Sequence, residues 1–276
     1  MNTTTRRPVI GVFDSGVGGL TVLRALLERV PGADYLYFGD TARLPYGSKS
    51  AATVAHYAVG AVHYLQDHGA ELLVIACNTA TALAFEPIRK AARVNVIGVI
   101  EPGAAAATQA STIGKVVVIG TEATVSSHAY RHALEARGIL AREKACPLFV
   151  PLVEEGWIEH PVTEQVAQIY LSEAFSEDCQ DADVLVLGCT HYPLIKPLLR
   201  RLAPESITLV DSAESTAHAV SELLQVKLPA AADQPDPSSG RQLKFFATDS
   251  VEKFKEMGTR FLGQPVEDVE HVDLKE

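Results

Sequence analysis

Residues 182–191 read ADVLVLGCTH and residues 70–79 read AELLVIACNT, so one pattern occurs twice in the chain. In each copy a small residue and an acid precede four aliphatic residues, a small residue, a cysteine and two polar groups. An aliphatic run this short, bounded by polar signals, reads as a strand buried on both faces of a parallel sheet. Cys77 and Cys189 then stand where such strands end. Open α/β sheets bind ligands at the carboxyl ends of their strands. The duplication therefore predicts two similar halves, each bringing one thiol to a shared cleft.

Outward from these strands the chain keeps the same grammar. Residues 8–13 (PVIGVF) form an apolar run, 14–19 (DSGVGG) a glycine-rich turn, and Leu20 to Val30 carry apolar residues at helical spacing. Such a turn offers backbone N–H groups and a helix N-terminus to a carboxylate or phosphate. It lacks the spacing of the dinucleotide fingerprint and of the P-loop. Asp34 to Phe38 reads as a second strand, and the loop 39–47 (GDTARLPYG) behind it is where specificity residues belong. Ser50 to His68 reads as a helix whose edge carries His56, His63 and His68, at a spacing that does not favour a metal site. Thr81 to Arg93 reads as a helix despite Pro87, Asn95 to Ile100 as a strand, and Glu101 to Gly103 as a break.

Ala104 to Ser111 is a small-residue helix, and Lys115 to Thr121 repeats the strand-then-turn logic of the amino terminus. A helix is expected over Ser126–Arg137, closed by Gly138, then an extended segment over Cys146–Val153 and a helix over Pro161–Asp178. After the second cysteine come a helix to Leu202, a strand at Ile207–Asp211 and a helix to Leu224. Residues 229–242, rich in Pro, Ala, Asp and Ser, read as a mobile surface loop before a last strand (Leu243–Ala247) and helix (Ser250–Leu262). The expected fold is α/β, with two similar α/β domains and mainly parallel sheets facing each other across a central cleft. The first domain would take residues 1–101 plus 211–276 and carry Cys77, and the second residues 102–210 with Cys189.

Composition narrows the function classes. A chain of 276 residues exceeds the usual single-domain range, and its 47% hydrophobic and 21% charged residues are ordinary for a globular protein. No apolar stretch reaches membrane-spanning length and residues 1–7 lack a signal-peptide core, so a cytoplasmic location is expected, with no membrane partner. A net charge of −10 without a basic cluster argues against nucleic acid as primary ligand. The four cysteines show neither a disulfide framework nor C-x-x-C or zinc spacing.

A buried cysteine is most often a small apolar filler, and Cys146 and Cys179 are left in that class. Cys77 and Cys189 differ, because each follows a strand and precedes polar side chains. Thiols on separate halves suit groups that work on one small molecule from opposite sides. One thiolate can remove a proton from a tetrahedral carbon while the opposite thiol donates one to its other face. An amino-acid Cα–H is a far weaker acid than a thiol, so the site must stabilise a carbanion with prealigned donors in a dry cleft. Turn amides after Phe13 and the hydroxyls of Ser15, Thr79 and Thr190 are available. No lysine sits in a recognisable Schiff-base motif, so a pyridoxal cofactor is not implied.

The segments FDSGVGGLTVL (13–23), FGDTARLPYGSKS (38–50), IACNTATA (75–82) and LGCTHYPL (187–194) resemble the glutamate racemases, cofactor-independent enzymes of peptidoglycan precursor synthesis. The match spreads over most of the chain in the family's order. The resemblance implies interconversion of L- and D-glutamate by a two-base mechanism, with Cys77 deprotonating the D-enantiomer and Cys189 the L-enantiomer. It implies that Asp14 assists the first thiol while Glu154 and His191 assist the second, with Glu155 an adjacent rival for Glu154. It further implies substrate contacts from Asp14, Ser15, Tyr46, Gly47, Asn78, Thr79, Thr121, Thr124, Thr190 and His191. Oligomeric arrangement stays open, a homodimer included. The rival readings are a racemase of aspartate or another small amino acid, and a two-domain protein that binds a small anion without chemistry.

Overall fold

The computed structural model describes residues 7–224 and 240–274. Its first part runs β1 (Val9–Asp14), α1 (Leu20–Arg29), β2 (Asp34–Gly39), α2 (Ala51–Asp67), β3 (Leu72–Ile75), α3 (Asn78–Ala91) and β4 (Asn95–Gly98). Helix α4 (Ile100–Ala110) leads to β5 (Lys115–Gly120), α5 (Glu122–Ser126), α6 (Ala129–Glu135), β6 (Leu140–Ala145), α7 (Phe149–Glu154), α8 (Pro161–Ala174), β7 (Val184–Gly188), α9 (Lys196–Leu202) and β8 (Thr208–Asp211). Helix α10 (Ser212–Leu223), β9 (Leu243–Ala247), α11 (Val251–Leu262) and β10 (Val269–His271) follow.

Two sheets result, a six-stranded one ordered β10-β9-β2-β1-β3-β4 and a four-stranded one ordered β6-β5-β7-β8. Every strand pairing is parallel. Within each half the order is second, first, third, fourth, so the repeat read in the sequence is a repeat of topology. The aliphatic runs before the two cysteines are β3 and β7, fully buried along their length, as two-faced parallel strands require. The acid that opens each copy ties down a neighbour: Glu71 accepts from the Val9 N–H at 3.3 Å, and Asp183 from the N–H groups of Thr112 and Ile113 at 2.6 and 3.0 Å. One apolar cluster holds Val12 and Val74 of the first sheet together with Val117 and Leu187 of the second, so the halves share packed interior.

Four local readings are corrected. Glu101-Pro-Gly103 does not break the chain but lies in the first turns of α4, where the missing Pro102 N–H leaves no intrahelical bond unmade. The helix expected over Ser126–Arg137 is divided into α5 and α6 at His128, which takes a left-handed φ of 55°. Cys146–Val153 is not extended: a turn at Cys146–Leu148 leads into α7. The second strand of the second half is β6, LAREKA, an edge strand whose polar residues hid it from a search for apolar runs. Residues 225–239, which take in most of the 229–242 stretch read as a loop, lie outside the described residues.

Asp183 holds the turn between α4 and β5 through four contacts, adding the hydroxyls of Ser111 at 2.6 Å and Thr112 at 2.9 Å. Although burial pushes its carboxyl up, these donors outweigh it and hold the pKa at about 2. Because the folded value is depressed, the stabilisation is full above the unfolded value near 4 and is lost as pH falls through about 2. Asp183→Ala should therefore lower the unfolding free energy at neutral pH by about 2 kcal/mol. Denaturant titrations of both proteins check this, and their difference should shrink steadily between about pH 4 and pH 2.

Candidate active site

In a sheet ordered second-first-third-fourth, the connections from the first and third strands leave on opposite faces, and a crevice opens between their carboxyl ends. Ser15 follows β1 and Cys77 follows β3; Thr121 follows β5 and Cys189 follows β7. These four residues line one cavity of about 500 Å³. The loops after the second strands close it, with Tyr46 and Gly47 after β2 and Val150, Pro151 and Glu154 after β6. Asn78, Thr79, Thr190 and His191 complete the expected residues that line it, while Asp14 and Thr124 are buried behind the wall. No lining residue is Lys or Arg, so an anion here would be held by hydroxyls and backbone N–H groups.

Cys77 caps α3: its sulfur accepts from the Ala80 N–H at 3.4 Å, and its thiol donates to Ser15 Oγ at 3.5 Å. Burial, and secondarily the charge of Asp14, push this thiol up to about 12, so it holds its proton at neutral pH. Asp14 ends β1 and is 1% exposed. Its Oδ2 accepts from the Gly16 N–H at 2.9 Å, and its Oδ1 is buried with no partner. Burial raises the carboxyl's pKa against the pull of the Gly16 N–H, of His191 and of the nearby Gly19 and Ser15 N–H groups.

Cys189 has different company. His191 Nδ1 lies 3.9 Å from its sulfur and 3.5 Å from Thr190 Oγ1, while Nε2 lies 3.0 Å from Glu154 Oε1. Burial pushes the imidazole down, but its contacts with Cys189 and Glu154 outweigh this and raise it to about 10. Glu154 is likewise lifted by burial and brought below its ordinary range by His191. Glu154 thus makes the contact, and Glu155 is exposed. A protonated His191 sets a positive charge beside Cys189, where Cys77 has a carboxyl.

Several residues of this site carry no signal in the sequence. Helix α11 backs the pair: Phe261 packs edge-on to the His191 ring at 5.0 Å, and Arg260 Nη1 donates to the carbonyls of Val153 and Glu154 at 3.3 and 3.0 Å. The glycine-rich turn serves close packing. Its Gly16 N–H goes to Asp14, and a Cβ at Gly18 would meet Thr190 Oγ1 and His191 Nδ1.

The family model for Asp/Glu/hydantoin racemases matches residues 10–220. The chain belongs to this family. It is 60% identical to the glutamate racemase of Koribacter versatilis, over 98% of both chains. Its fold matches a glutamate racemase of Bacillus anthracis with a TM-score of 0.87 at 37% identity, over 97% of this chain and 98% of that one. The glutamate racemase of Francisella tularensis, solved with D-glutamate, matches with a TM-score of 0.84 at 35% identity over the same shares.

Within this member of the family, several polar side chains facing the cavity are already engaged. Tyr46 donates to Asp40 at 2.6 Å, and Asn78 joins the halves, accepting from Tyr130 at 2.8 Å and donating to Ser212 at 3.3 Å. The hydroxyls of Thr79, Thr121 and Thr124 meet across the cleft at 3.0 to 3.4 Å. The His191–Glu154 contact carries a measurable consequence. Because the folded imidazole's pKa is raised, it stabilises the fold fully below about pH 6.5, and this is lost as pH rises through about 10. In Glu154→Gln the imidazole should lose its proton at lower pH than in the parent. Superimposable ¹⁵N NMR titrations of His191 in the two proteins would contradict this.

Proposed function

We propose that the chain is a glutamate racemase that moves a proton at Cα between two thiols without a cofactor. The observation that carries this reading is that Cys77 and Cys189, from equivalent strand ends of opposite sheets, line one cavity. The family match supports the substrate.

In the proposed reaction the thiolate of Cys189 takes the Cα proton of L-glutamate, forming an S–H bond as the C–H bond breaks. The electron pair stays on carbon, delocalised toward the α-carboxylate. Cys77, a thiol at neutral pH, gives its proton to the opposite face and becomes the thiolate. D-glutamate runs the same steps backwards. Hydroxyls of Ser15, Thr79, Thr121 and Thr190 and the amino terminus of α3 serve as fixed donors to the developing charge. Asp14 relays protons for Cys77, and His191 with Glu154 does so for Cys189. The product suits peptidoglycan synthesis in the cytoplasm; among the described residues no helix is long and apolar enough to cross a membrane. A division into residues 1–101 plus 211–276 and residues 102–210 is supported by the two sheets, which draw on those segments, with β8 ending at Asp211.

The family description spans aspartate as well as glutamate, so substrate choice is tested directly. Turnover of both enantiomers of Glu, Asp and Ala should favour glutamate, and a clear preference for aspartate would overturn that part. Solvent deuterium should enter Cα, which a non-catalytic binding protein would not allow. Cys77→Ala and Cys189→Ala should each abolish racemisation, while Cys146→Ala and Cys179→Ala leave it nearly intact. Substantial racemisation by either of the first two would remove the mechanism.

A further inference from the structure

The turn between β1 and α1 touches both thiol loops. On one side Ser15 meets Cys77. On the other, the backbone at Gly18 passes so close to the Cys189 loop that any side chain there would collide with Thr190 and His191. In the first turn of α1, Thr21 is buried, and its hydroxyl lies 2.9 Å from the carbonyl oxygen of Thr190, 169 residues away in the chain. The same hydroxyl lies 2.9 Å from the carbonyl oxygen of Gly18. A hydroxyl has one proton to donate, so the two carbonyls share it and are held to a common point. Thr190 sits between the thiol and the imidazole, so fixing its carbonyl fixes the strand end that carries both.

We propose that Thr21 is a positioning residue for Cys189: acting through the Thr190 carbonyl, with Gly18 leaving the space, it seats the second thiol's loop against the first half. The inference rests on the two-thiol reaction proposed above. Thr21 does not line the cavity and touches no reacting atom; it faces a separate crevice behind the loop, with Pro193 and Leu194. The segment Asp14 to Thr21 then governs both sulfurs, one by a hydroxyl contact and the other by a cross-half seat. Proton transfer from carbon needs near-attack geometry, and a misplacement of about 1 Å costs on the order of a hundredfold in rate.

Enantiomers have equal free energies, so damage to either thiol must lower kcat/KM equally in both directions. The steps are separated by isotope. For the enantiomer whose proton Cys189 removes, that removal becomes slower and the primary deuterium effect on kcat/KM rises. For the other enantiomer the damaged step is reprotonation, and the effect falls toward the smaller equilibrium value for moving hydrogen from carbon to sulfur. Thr21→Val keeps the side-chain shape and deletes the hydroxyl. It should lower kcat/KM by about a hundredfold in both directions, with the two isotope effects parting in this way. Thr21→Ser restores the hydroxyl and should bring rate and isotope effects back to the parent's. Gly18→Ala displaces the same loop by bulk and should part the isotope effects in the same sense. If Thr21→Val does not fold, Thr21→Ala carries the same test. Unchanged isotope effects, two effects that move together, or no rescue by Thr21→Ser would overturn the inference. Those failures leave Cys189→Ala inactive, whereas an active Cys189→Ala would sink the underlying reaction instead.

Discussion

A parallel sheet delivers every strand end to one edge, and an order of second, first, third, fourth opens a gap between the first and third of them. The chain builds that edge twice and sets the two against each other. The walls of the cavity follow from this. Each half supplies the residue after its first strand, a loop after its second and a cysteine after its third. Polar groups buried in or behind these walls need partners. Hydroxyls, amides and ion pairs meet that need for most of the wall, through Thr79 with Thr121, Asn78 with Tyr130, and His191 with Glu154. Asp14 Oδ1 stands out because it is buried without a partner.

The two halves use one scaffold to give their thiols unlike surroundings. Where β1 ends in Asp14, β5 ends in Gly120, so only the first half places a carboxyl beside its cysteine at that point. The second half draws its acid from α7, after the second strand, and sets His191 between that acid and the sulfur. Cys77 opens a 14-residue helix and accepts an N–H from it; Cys189 leads into a short 3₁₀ turn over Tyr192–Ile195. Helix α11, attached to the first sheet through β9 and β10, then reaches over to hold His191 and the Glu154 carbonyl. The second thiol's environment is thus partly built by the first half.

What the sequence disclosed follows from which forces act locally. Aliphatic runs before Cys77 and Cys189 are dictated by burial on both faces of a sheet, so the central strands and the repeat were readable, and with them both sulfurs. Edge strand β6 carries Arg142, Glu143 and Lys144 because its position leaves polar groups room, and it is silent to the same test. Pro102 looked like a breaker because its place in the first turns of α4 depends on where that helix begins. The glycine-rich turn invited an anion-cradle reading; that its Gly18 also answers to Thr190 and His191, partners on another half of the fold, carried no signal in the sequence. Arg260 and Phe261 look like ordinary helix residues, and only tertiary packing reveals what they hold.

Burial beside a thiol bears directly on how Cys77 can serve as both acid and base in the proposed reaction. A sulfur pushed up to about 12 is a willing donor only to a strong base such as a carbanion, and it is a poor source of thiolate. To begin from D-glutamate in the proposed reaction, Cys77 must first give this proton to something nearby, and an exposed carboxylate of ordinary acidity would refuse it. Asp14 is raised by the same burial that raises the thiol, so the two move together and the gap between them is smaller than burial of the thiol alone would leave. Its Oδ1 is buried without a partner, and the Gly16 N–H on the other oxygen keeps the group oriented. An orphaned carboxylate atom would be a defect in a structural core. In the proposed reaction it is the acceptor assigned to the Asp14 relay, serving a sulfur that must both lose and regain a proton.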